Sequence, residues 1–219
     1  MTLAYIISAY KLPELLVRLV ARLHRPDTFF FIHVDARSPD AVYHAMTRPL
    51  AGYPTVRFLP RHACYWGDFG HVQALLEGLE AALEVGPFDY AVLLTGHDYP
   101  LATNDRIAAT LQGGEGRAFM RYFPLPSTHW SDGGLDRIEH KQFRIGRRMF
   151  RFPGQPFGSG VVGGAWAAAT RRLRLTRTFP ATLRRCGGSS YWCMPPDFAA
   201  YVLRFLAENP GVEMSPALE

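Results

Sequence analysis

The sequence lacks the short motifs by which several large classes of enzyme are recognised. It has no GxGxxG after its first predicted strand, no GxxxxGK[ST] and no GxSxG. These absences argue against a dinucleotide site, a P-loop triphosphatase and a serine nucleophile on a strand-to-helix turn. It also has no Asp-x-Asp pair. His97 and Asp98 have no third ligand nearby in the sequence, so no metal site is predicted.

Cysteines and long apolar runs are scarce. The three cysteines, Cys64, Cys186 and Cys193, form no CxxC pair, which predicts reduced thiols in or near the core rather than a disulfide framework or a zinc site. No stretch reaches the ~18 apolar residues of a membrane span. No signal peptide is visible at the N-terminus. A cytoplasmic location is therefore expected, with peripheral contact to a membrane left open.

Acidic residues are missing from one long segment. Lys141–Arg185 holds eleven basic residues and no Asp or Glu, although the whole chain has a net charge of only +5. This segregation indicates an anionic partner, for which a nucleotide diphosphate, a nucleic acid and an acidic membrane surface all qualify; a solvated basic face is the alternative. Because no nucleic-acid-binding motif accompanies the charge, nucleic acid is not predicted as a partner.

The sequence does contain a regular alternation of strands and helices. Apolar runs predict strands at Leu3–Ala9, Thr28–Val34, Val56–Leu59, Phe88–Thr95 and Ala118–Phe123. Helical spacing predicts helices at Leu12–His24, Pro39–Met46, His71–Val85 and, behind an Asn cap, Asn104–Leu111. This order predicts an α/β fold with a mainly parallel central sheet flanked by helices.

The later part of the chain is less periodic. Residues 124–187 are rich in Gly, Pro, Arg and aromatic residues, which predicts long loops with one or two short elements. Within Cys186–Cys193, the segment Gly187–Trp192 is interpreted as a small-residue turn that enters an aromatic pair, and Pro196–Glu208 as a helix.

Two polar motifs follow buried strands. Ligands of parallel α/β sheets bind outside the carboxyl ends of the strands, where Asp35 of FIHVDARS and Asp98 of LLTGHDYPL are predicted to lie. Asp35 could accept hydrogen bonds from a ribose or a uracil N–H. The alternative is that Asp35 caps the next turn while His33 packs between sheet and helix. Asp98 could orient a sugar hydroxyl or an acceptor.

Two aromatic motifs are further candidates. YWG, at Tyr65–Gly67, could close one wall of a pocket, with core packing of Trp66 as the alternative. GGSSYW, at Gly187–Trp192, combines small residues that admit a ligand with an aromatic pair that can stack on sugar rings.

Taken in order, these motifs resemble one family, the core-2/I-branching β-1,6-N-acetylglucosaminyltransferases and the related peptide O-xylosyltransferases. The resembling segments are AYIISAY, FIHVDARS, CYWGDFGHVQALLEGLEAAL, DYAVLLTGHDYPLATNDRI and GGSSYWCMPPDFAAYVL. They cover roughly residues 3–112 and 186–206. Each motif is weak alone, and their shared order and spacing carry the resemblance.

The resemblance implies a GT-A-like nucleotide-sugar domain in an inverting, metal-independent enzyme. Such an enzyme moves GlcNAc or xylose from a UDP-sugar to a hydroxyl of a glycan or other acceptor, without a cofactor. A carboxylate takes the proton of the attacking hydroxyl, and cations offset the charge on the leaving UDP. Within a single domain of residues 1–219, residues 1–125 would be the nucleotide-binding half and residues 126–219 the acceptor-side half with basic loops.

The resemblance also implies roles for particular residues. The nucleotide site would comprise Ala9, Tyr10, His33, Asp35, Arg37, Trp66 and Gly67. The donor and acceptor would be bound by Gly96, His97, Asp98, Tyr99, Arg137, Lys141, Ser189, Tyr191 and Trp192, with Asp98 also catalytic.

The sequence departs from the family pattern near its end. The family's base is a glutamate in a Pro-Asp-Glu motif, whereas this sequence ends in MSPALE. Either Glu219 is the displaced base or the base lies beyond the end of this sequence. The family's diphosphate-binding Arg and Lys residues also lie further downstream, which leaves Arg144–Arg151 or Arg171–Arg185 as substitutes. A second hypothesis is therefore a non-catalytic or truncated domain that binds a nucleotide-sugar or a glycan.

Overall fold

The computed structural model describes residues 1–65, 69–145, 148–152, 161–173, 175–177 and 179–210. The chain divides into two compact units. The first comprises Met1–Met120 and the returning segment that begins at Ser190, and the second begins at Arg121 and ends at Ser189. The predicted division of one domain into halves at residue 125 stays a prediction.

Six strands form the central sheet. They are β1 (Leu3–Ala9), β2 (Thr28–Val34), β3 (Val56–Phe58), β4 (Tyr90–Thr95), β5 (Phe119–Pro124) and β8 (Cys186–Met194). Their order across the sheet is β3-β2-β1-β4-β8-β5. The first four are mutually parallel, and β8 runs antiparallel to β4. Ile6 in the middle of β1 is level with Phe31 on one side and Leu93 on the other. The predicted α/β class with a mainly parallel central sheet is confirmed.

Helices cover both faces of the parallel strands, because successive side chains of a strand point to opposite sides. Tyr5 and Ile7 of β1 share one core with α1 (Pro13–Leu23), α2 (Asp40–Leu50) and α4 (Asn104–Gln112). Ala4 and Ile6 share the other core with α3 (Gly70–Val85) and α7 (Pro196–Glu208). Each fully buried Leu or Ile in these cores contributes about 1.5–3 kcal/mol to folding.

The second unit has more regular structure than the sequence predicts. A 3₁₀ turn at Ser131–Gly134 and the short helix α5 (Asp136–Glu139) lead into a hairpin of β6 (Lys141–Ile145) and β7 (Arg148–Phe152). Helix α6 (Val161–Arg172) follows. The prediction of long loops with one or two short elements was wrong. Five-residue strands and one-turn helices are too short to show a clear periodicity, and the sequence of α6, VVGGAWAAATRR, has two glycines and few large apolar residues to mark a helical face.

Two further local predictions need correction. GGSSYW is not a turn but the body of β8. Gly187 is packed against the rings of Trp130 and Phe123, and Gly188 against the backbone carbonyl of Arg121. The glycines are therefore required by close packing in a strand rather than by a turn. None of the cysteines forms a disulfide, but the exposed Cys186 is not in the core, unlike the buried Cys64.

No helix within the described ranges combines the length and the apolar character needed to cross a membrane.

Candidate active site

The site lies where the strand order changes direction. From β1 the chain adds β2 and then β3 on one side, and it then places β4 on the other side of β1. At the carboxyl ends, Asp35 N donates a hydrogen bond to Ala9 O and Gly96 N donates one to Ser8 O, and both distances are 2.9 Å. Strands two positions apart are separated by about 10 Å. Asp35 and Gly96 therefore flank the end of β1, the usual place of a ligand in such sheets.

A cleft of about 500 Å³ opens at this edge. Its lining residues come from the ends of β1 and β2 and from the chain before and within α3: Tyr10, Asp35, Arg37, Ser38, Pro39, Cys64 and His71. The structure thus brings together three residues predicted for the nucleotide site, Tyr10, Asp35 and Arg37. Ala9 is buried at the end of β1, directly before Tyr10.

Asp35 has one oxygen engaged and one available. Its side chain is only 7% exposed. Oδ1 accepts hydrogen bonds from the backbone N–H groups of Arg37 (2.8 Å) and Cys64 (3.2 Å). This is the turn-capping role considered from the sequence. Among the described residues, none donates a hydrogen bond to Oδ2, so the same carboxylate can also accept from a ligand in the cleft.

His33 is a packed residue rather than an accessible one. It is 1% exposed, and its Nε2 accepts a hydrogen bond from the backbone N–H of His62 (3.0 Å). The two imidazoles stack with ring centres 5.8 Å apart. Burial, reinforced by the neighbouring His62, lowers the pKa of His33 to about 4. The structure therefore supports the packing alternative, and a direct nucleotide contact by His33 stays a prediction.

The turn after β4 holds the other polar cluster. Asp98 Oδ2 accepts from the backbone N–H of Thr95 (2.6 Å), which closes the turn. A Cβ on Gly96 would lie 2.9 Å from that of Ala9, so a larger residue would push β4 away from β1. The His97 ring packs edge-on against Tyr10, with ring centres 5.2 Å apart. His97 and Tyr10 thereby connect the turn to the cleft wall, while the catalytic role of Asp98 stays a prediction.

Tyrosines with neighbouring cations are exposed at the same edge. Tyr10 and Tyr99 are each about half exposed. Lys11 Nζ lies 5.0 Å from the Tyr10 ring, and the Arg18 guanidinium lies 5.6 Å from the Tyr99 ring. Flat, partly exposed aromatic faces are suited to contact with sugar rings.

Sequence reasoning missed Arg61, which follows β3 and therefore belongs to the same carboxyl edge. Its Nη2 lies within 3.3 Å of the carbonyl oxygens of Asp35, Ala36 and Ser38, and Nη1 donates to the Asp40 carboxylate over 3.0 Å. The available signal was the rule that ligands lie at the ends of parallel strands. Applied to β3 as it was to β2, that rule points to Arg61.

Two of the residues predicted to bind the acceptor, Arg137 and Lys141, belong to the second unit. The Arg137 guanidinium stacks on Trp130 at 4.3 Å, and Lys141 is exposed at the start of β6. Nearby, Arg185 forms an ion pair with Glu139 at 3.2 Å. Arg137 and Lys141 thus lie in one unit, and a contact with a sugar or phosphate stays a prediction.

The aromatic pair of β8 has side chains of different exposure. Ser189 and Tyr191 are exposed, whereas Trp192 packs against the core that contains Ala4 and Ile6. Trp192 is therefore at least partly a core residue. Because of the two-residue period of a strand, Tyr191 points to the opposite face.

Several predicted features lie outside the described residues. Trp66, Gly67 and Glu219 are among them, so the pocket wall and the base remain predictions. Within the described part of the chain, no group of three or more His, Cys, Asp or Glu side chains is placed to hold a metal ion.

Comparison with known proteins gives a family match and distant relatives. A family model described as Core-2/I-Branching enzyme matches residues 3–210. Human xylosyltransferase 2 is 30% identical over 165 residues, which cover 71% of this chain and 18% of that protein. Human xylosyltransferase 1 is 29% identical over 167 residues, which cover 72% of this chain and 17% of that protein. The chain thus spans less than a fifth of the length of these curated relatives.

Solved structures show weaker likeness. A Pyrobaculum calidifontis mannosyltransferase, PcManGT in complex with GDP-Man and Mn²⁺, has a TM-score of 0.40 and 14% identity, with coverage of 84% of this chain and 56% of that one. S. aureus TarS has a TM-score of 0.39 and 10% identity, with coverage of 99% and 67%.

Proposed function

Because this chain belongs to the Core-2/I-Branching enzyme family, we propose that it is a glycosyltransferase with a GT-A-like domain that binds a UDP-sugar. The family predicted from the sequence is confirmed. The activity itself is a proposal, since the chain covers only 18% of xylosyltransferase 2. The observation that carries it is the cleft at the switch point of the sheet, where Asp35 lies beside Tyr10 and Arg37 with one carboxylate oxygen that accepts no hydrogen bond from the described part of the chain.

The nucleoside occupies this cleft in the proposal. Asp35 Oδ2 accepts hydrogen bonds from the ribose hydroxyls or the uracil N–H, while Oδ1 keeps its backbone partners. The Arg37 guanidinium is held in place by the Cys64 carbonyl (3.0 Å) and by the Tyr65 ring (4.3 Å). A fixed cation and a fixed carboxylate bind a nucleotide with little loss of side-chain freedom.

The chemical step is proposed as a direct displacement with inversion. The acceptor hydroxyl attacks the anomeric carbon of GlcNAc or xylose, the bond from that carbon to the UDP oxygen breaks, and a carboxylate takes the hydroxyl proton. Asp98 orients the sugar or the acceptor, and Glu219 or a glutamate beyond it is the base. Basic side chains, rather than a metal ion, offset the charge on UDP. The xylosyltransferase relatives favour xylose as the first donor to test.

Asp35→Asn tests the nucleotide site, because Asn keeps an acceptor oxygen for the Arg37 and Cys64 N–H groups and replaces Oδ2, the proposed acceptor for the ligand, with an uncharged NH2 donor. We expect UDP affinity by calorimetry to fall about tenfold or more, as for the loss of a hydrogen bond to a charged group. Asp105→Asn, at an exposed ion pair with Arg25, is the matched control and should bind as the wild type does. Unchanged affinity in Asp35→Asn would mean that Asp35 only caps its turn.

Transfer is tested separately. The chain is incubated with UDP-xylose or UDP-GlcNAc and candidate acceptors in EDTA, and the product's anomeric configuration is read by NMR. A β-linked product from the α-linked donor is expected. UDP binding without transfer would instead favour the alternative of a non-catalytic nucleotide-sugar-binding domain.

A further inference from the structure

Arg61 contacts several backbone carbonyls at the edge of the cleft. Its Nη2 is 3.2 Å from Asp35 O, 3.3 Å from Ala36 O and 2.6 Å from Ser38 O. Its guanidinium also lies 4.6 Å from the centre of the Tyr43 ring on α2. Backbone carbonyls in a turn usually face water, so three of them gathered around one cation form a specific local structure.

These carbonyls belong to the residues that line the cleft. Asp35 and Ser38 are both lining residues. Ser38 Oγ also donates to Tyr10 O (2.7 Å), so the turn is tied to the end of β1 as well. Arg61 therefore fixes the backbone from which Asp35 and Ser38 project into the cleft.

The residues that follow Arg61 hold the turn of residues 35–38 at two further points. His62 O accepts from Ala36 N (2.9 Å), and Cys64 N donates to Asp35 Oδ1 (3.2 Å). Arg61 supplies the side-chain part of this attachment, and the backbone of residues 62–64 supplies the rest. Lysine is not equivalent, because its shorter side chain ends in an ammonium group, which cannot stack on the Tyr43 ring as a planar guanidinium does while it also donates to the three carbonyls.

We propose that Arg61 is a positioning residue for the nucleoside end of the donor site: it holds the turn of residues 35–38 in the shape that presents Asp35 to the ligand. This inference rests on the proposed function and adds to it a residue that does not itself touch the substrate. The Asp40 arm contributes little, since the Asp40 side chain is 84% exposed and exposed ion pairs are weak.

The test compares Arg61→Lys and Arg61→Met with two control variants. Arg57→Met removes an arginine from the neighbouring strand β3, where it forms an exposed ion pair with Glu84 at 3.2 Å. Asp40→Asn removes only the outer partner of Arg61. Calorimetry is run with UMP and UDP, well below the unfolding temperature of every variant, and reports both the dissociation constant and the stoichiometry.

For Arg61→Lys we expect the dissociation constants of UMP and UDP to rise by the same factor, about tenfold, with stoichiometry near the wild-type value. Because UMP has one phosphate fewer, an equal factor for both ligands locates the effect at the nucleoside. If the protein transfers the sugar of a UDP-sugar, the KM for that donor should rise while kcat changes less than about twofold. Arg57→Met and Asp40→Asn should bind as the wild type does.

Three results would overturn the inference. Unchanged dissociation constants with reduced stoichiometry would show that Arg61 only stabilises the fold. A loss of affinity for UDP without a loss of affinity for UMP would indicate that Arg61 acts on the diphosphate. An equal loss in Arg57→Met would show that any arginine removed from this edge has the same effect.

The proposed function can fail independently. If the wild-type chain binds neither UMP nor UDP, the nucleotide site itself is wrong, and the role of Arg61 falls with it. If the wild type binds both and Arg61→Lys binds equally well, only the inference on Arg61 is wrong. Should Arg61→Met not fold, Arg61→Lys alone decides the question, because it keeps the charge and most of the side-chain volume.

Discussion

Gly78 lets helix α3 pack directly against Ile6 of the sheet. A Cβ at this position would lie 2.6 Å from Cγ2 and 3.3 Å from Cγ1 of Ile6, which is fully buried in β1. Gly78→Ala gains up to about 1 kcal/mol of helix propensity. It also forces Ile6 or the helix to shift, which costs about 1–3 kcal/mol in a packed core. We expect net destabilisation, measured as a lower urea midpoint.

Gly52→Ala is the control for this prediction. No atom lies within 4 Å of a Cβ added at Gly52, so the substitution should be neutral or stabilise the fold slightly through the unfolded chain. Equal urea midpoints for the two variants would show that the helix moves freely on the sheet and that Ile6 does not fix Gly78.

His33 predicts a pH dependence of stability. Its pKa is about 4 in the folded protein and about 6.5 in an unfolded chain. Between these values the unfolded state binds a proton that the folded state does not, so the free energy of unfolding falls as the pH drops from about 6.5 to about 4. We expect His33→Gln, which keeps an acceptor for the His62 N–H, to flatten this part of the profile.

The control for His33 is His44→Gln, on the exposed side of α2. Urea unfolding is measured at intervals from pH 4 to pH 7.5 in constant ionic strength. A profile in His33→Gln as steep as that of the wild type would assign the acid sensitivity to other groups.

At single residues, the sequence predicted positions at strand ends better than it predicted contacts. FIHVDARS correctly drew attention to Asp35 at a strand end, and the structure places it in a cleft. The sequence could not show that Arg61, twenty-six positions after Asp35, donates a hydrogen bond to the backbone of the turn that begins at Asp35. That contact depends on the register of β3 against β2, which pairs Ile32 with Phe58 and which no local pattern specifies.

Helix α4 begins at a different cap from the one predicted. Thr103 is the N-cap, and its hydroxyl oxygen accepts from Arg106 N (3.3 Å). Asn104 was predicted as the cap but instead bonds to Arg22 on α1 (3.0 Å). Thr103→Ala should therefore destabilise the protein by about 1 kcal/mol, and Thr103→Ser by much less.

Thermal or urea unfolding of the two Thr103 variants measures this difference. Asn104→Ala is informative beside them, because it should also destabilise, through the loss of its contact with the end of α1 rather than of a cap. If Thr103→Ala is neutral, α4 does not depend on a side-chain cap.

Elements that are long and buried were predictable, and short or partly exposed ones were not. β1, β2 and α7 have the bounds expected from the sequence, since apolar runs and helical spacing persist over seven or more residues. α2 extends to Leu50, four residues beyond its predicted end and past Pro49, and Leu50 is buried in the same core as Met46. The glycines of β8 were mistaken for part of a turn, because the side chains and backbone that pack closely against them are far away in sequence.

For the whole molecule, the order of elements was sufficient to predict a mainly parallel sheet covered on both faces. A cleft lies at its carboxyl edge, where a ligand site was expected, and ligand binding there stays a prediction. The antiparallel entry of β8 beside β4 was not predictable, because the long segment before it has little periodicity. Three of the segments that carry the family resemblance, AYIISAY, FIHVDARS and LLTGHDYPL, contain the ends of β1, β2 and β4 and therefore meet at that edge.

Charge across the whole chain bears on how a diphosphate would be held. The net charge is +5, and the described residues contain no group of three metal-binding side chains. If basic side chains alone offset the diphosphate, the dissociation constant of UDP should be equal in EDTA and in Mn²⁺. Raising the salt from 0.1 to 1 M shortens the Debye length from about 10 Å to about 3 Å. UDP binding should then weaken severalfold, and uridine binding should hardly change, because uridine carries no phosphate. Calorimetry with both ligands at both salt concentrations measures this contrast, and tighter UDP binding in Mn²⁺ than in EDTA would show that a metal ion takes part.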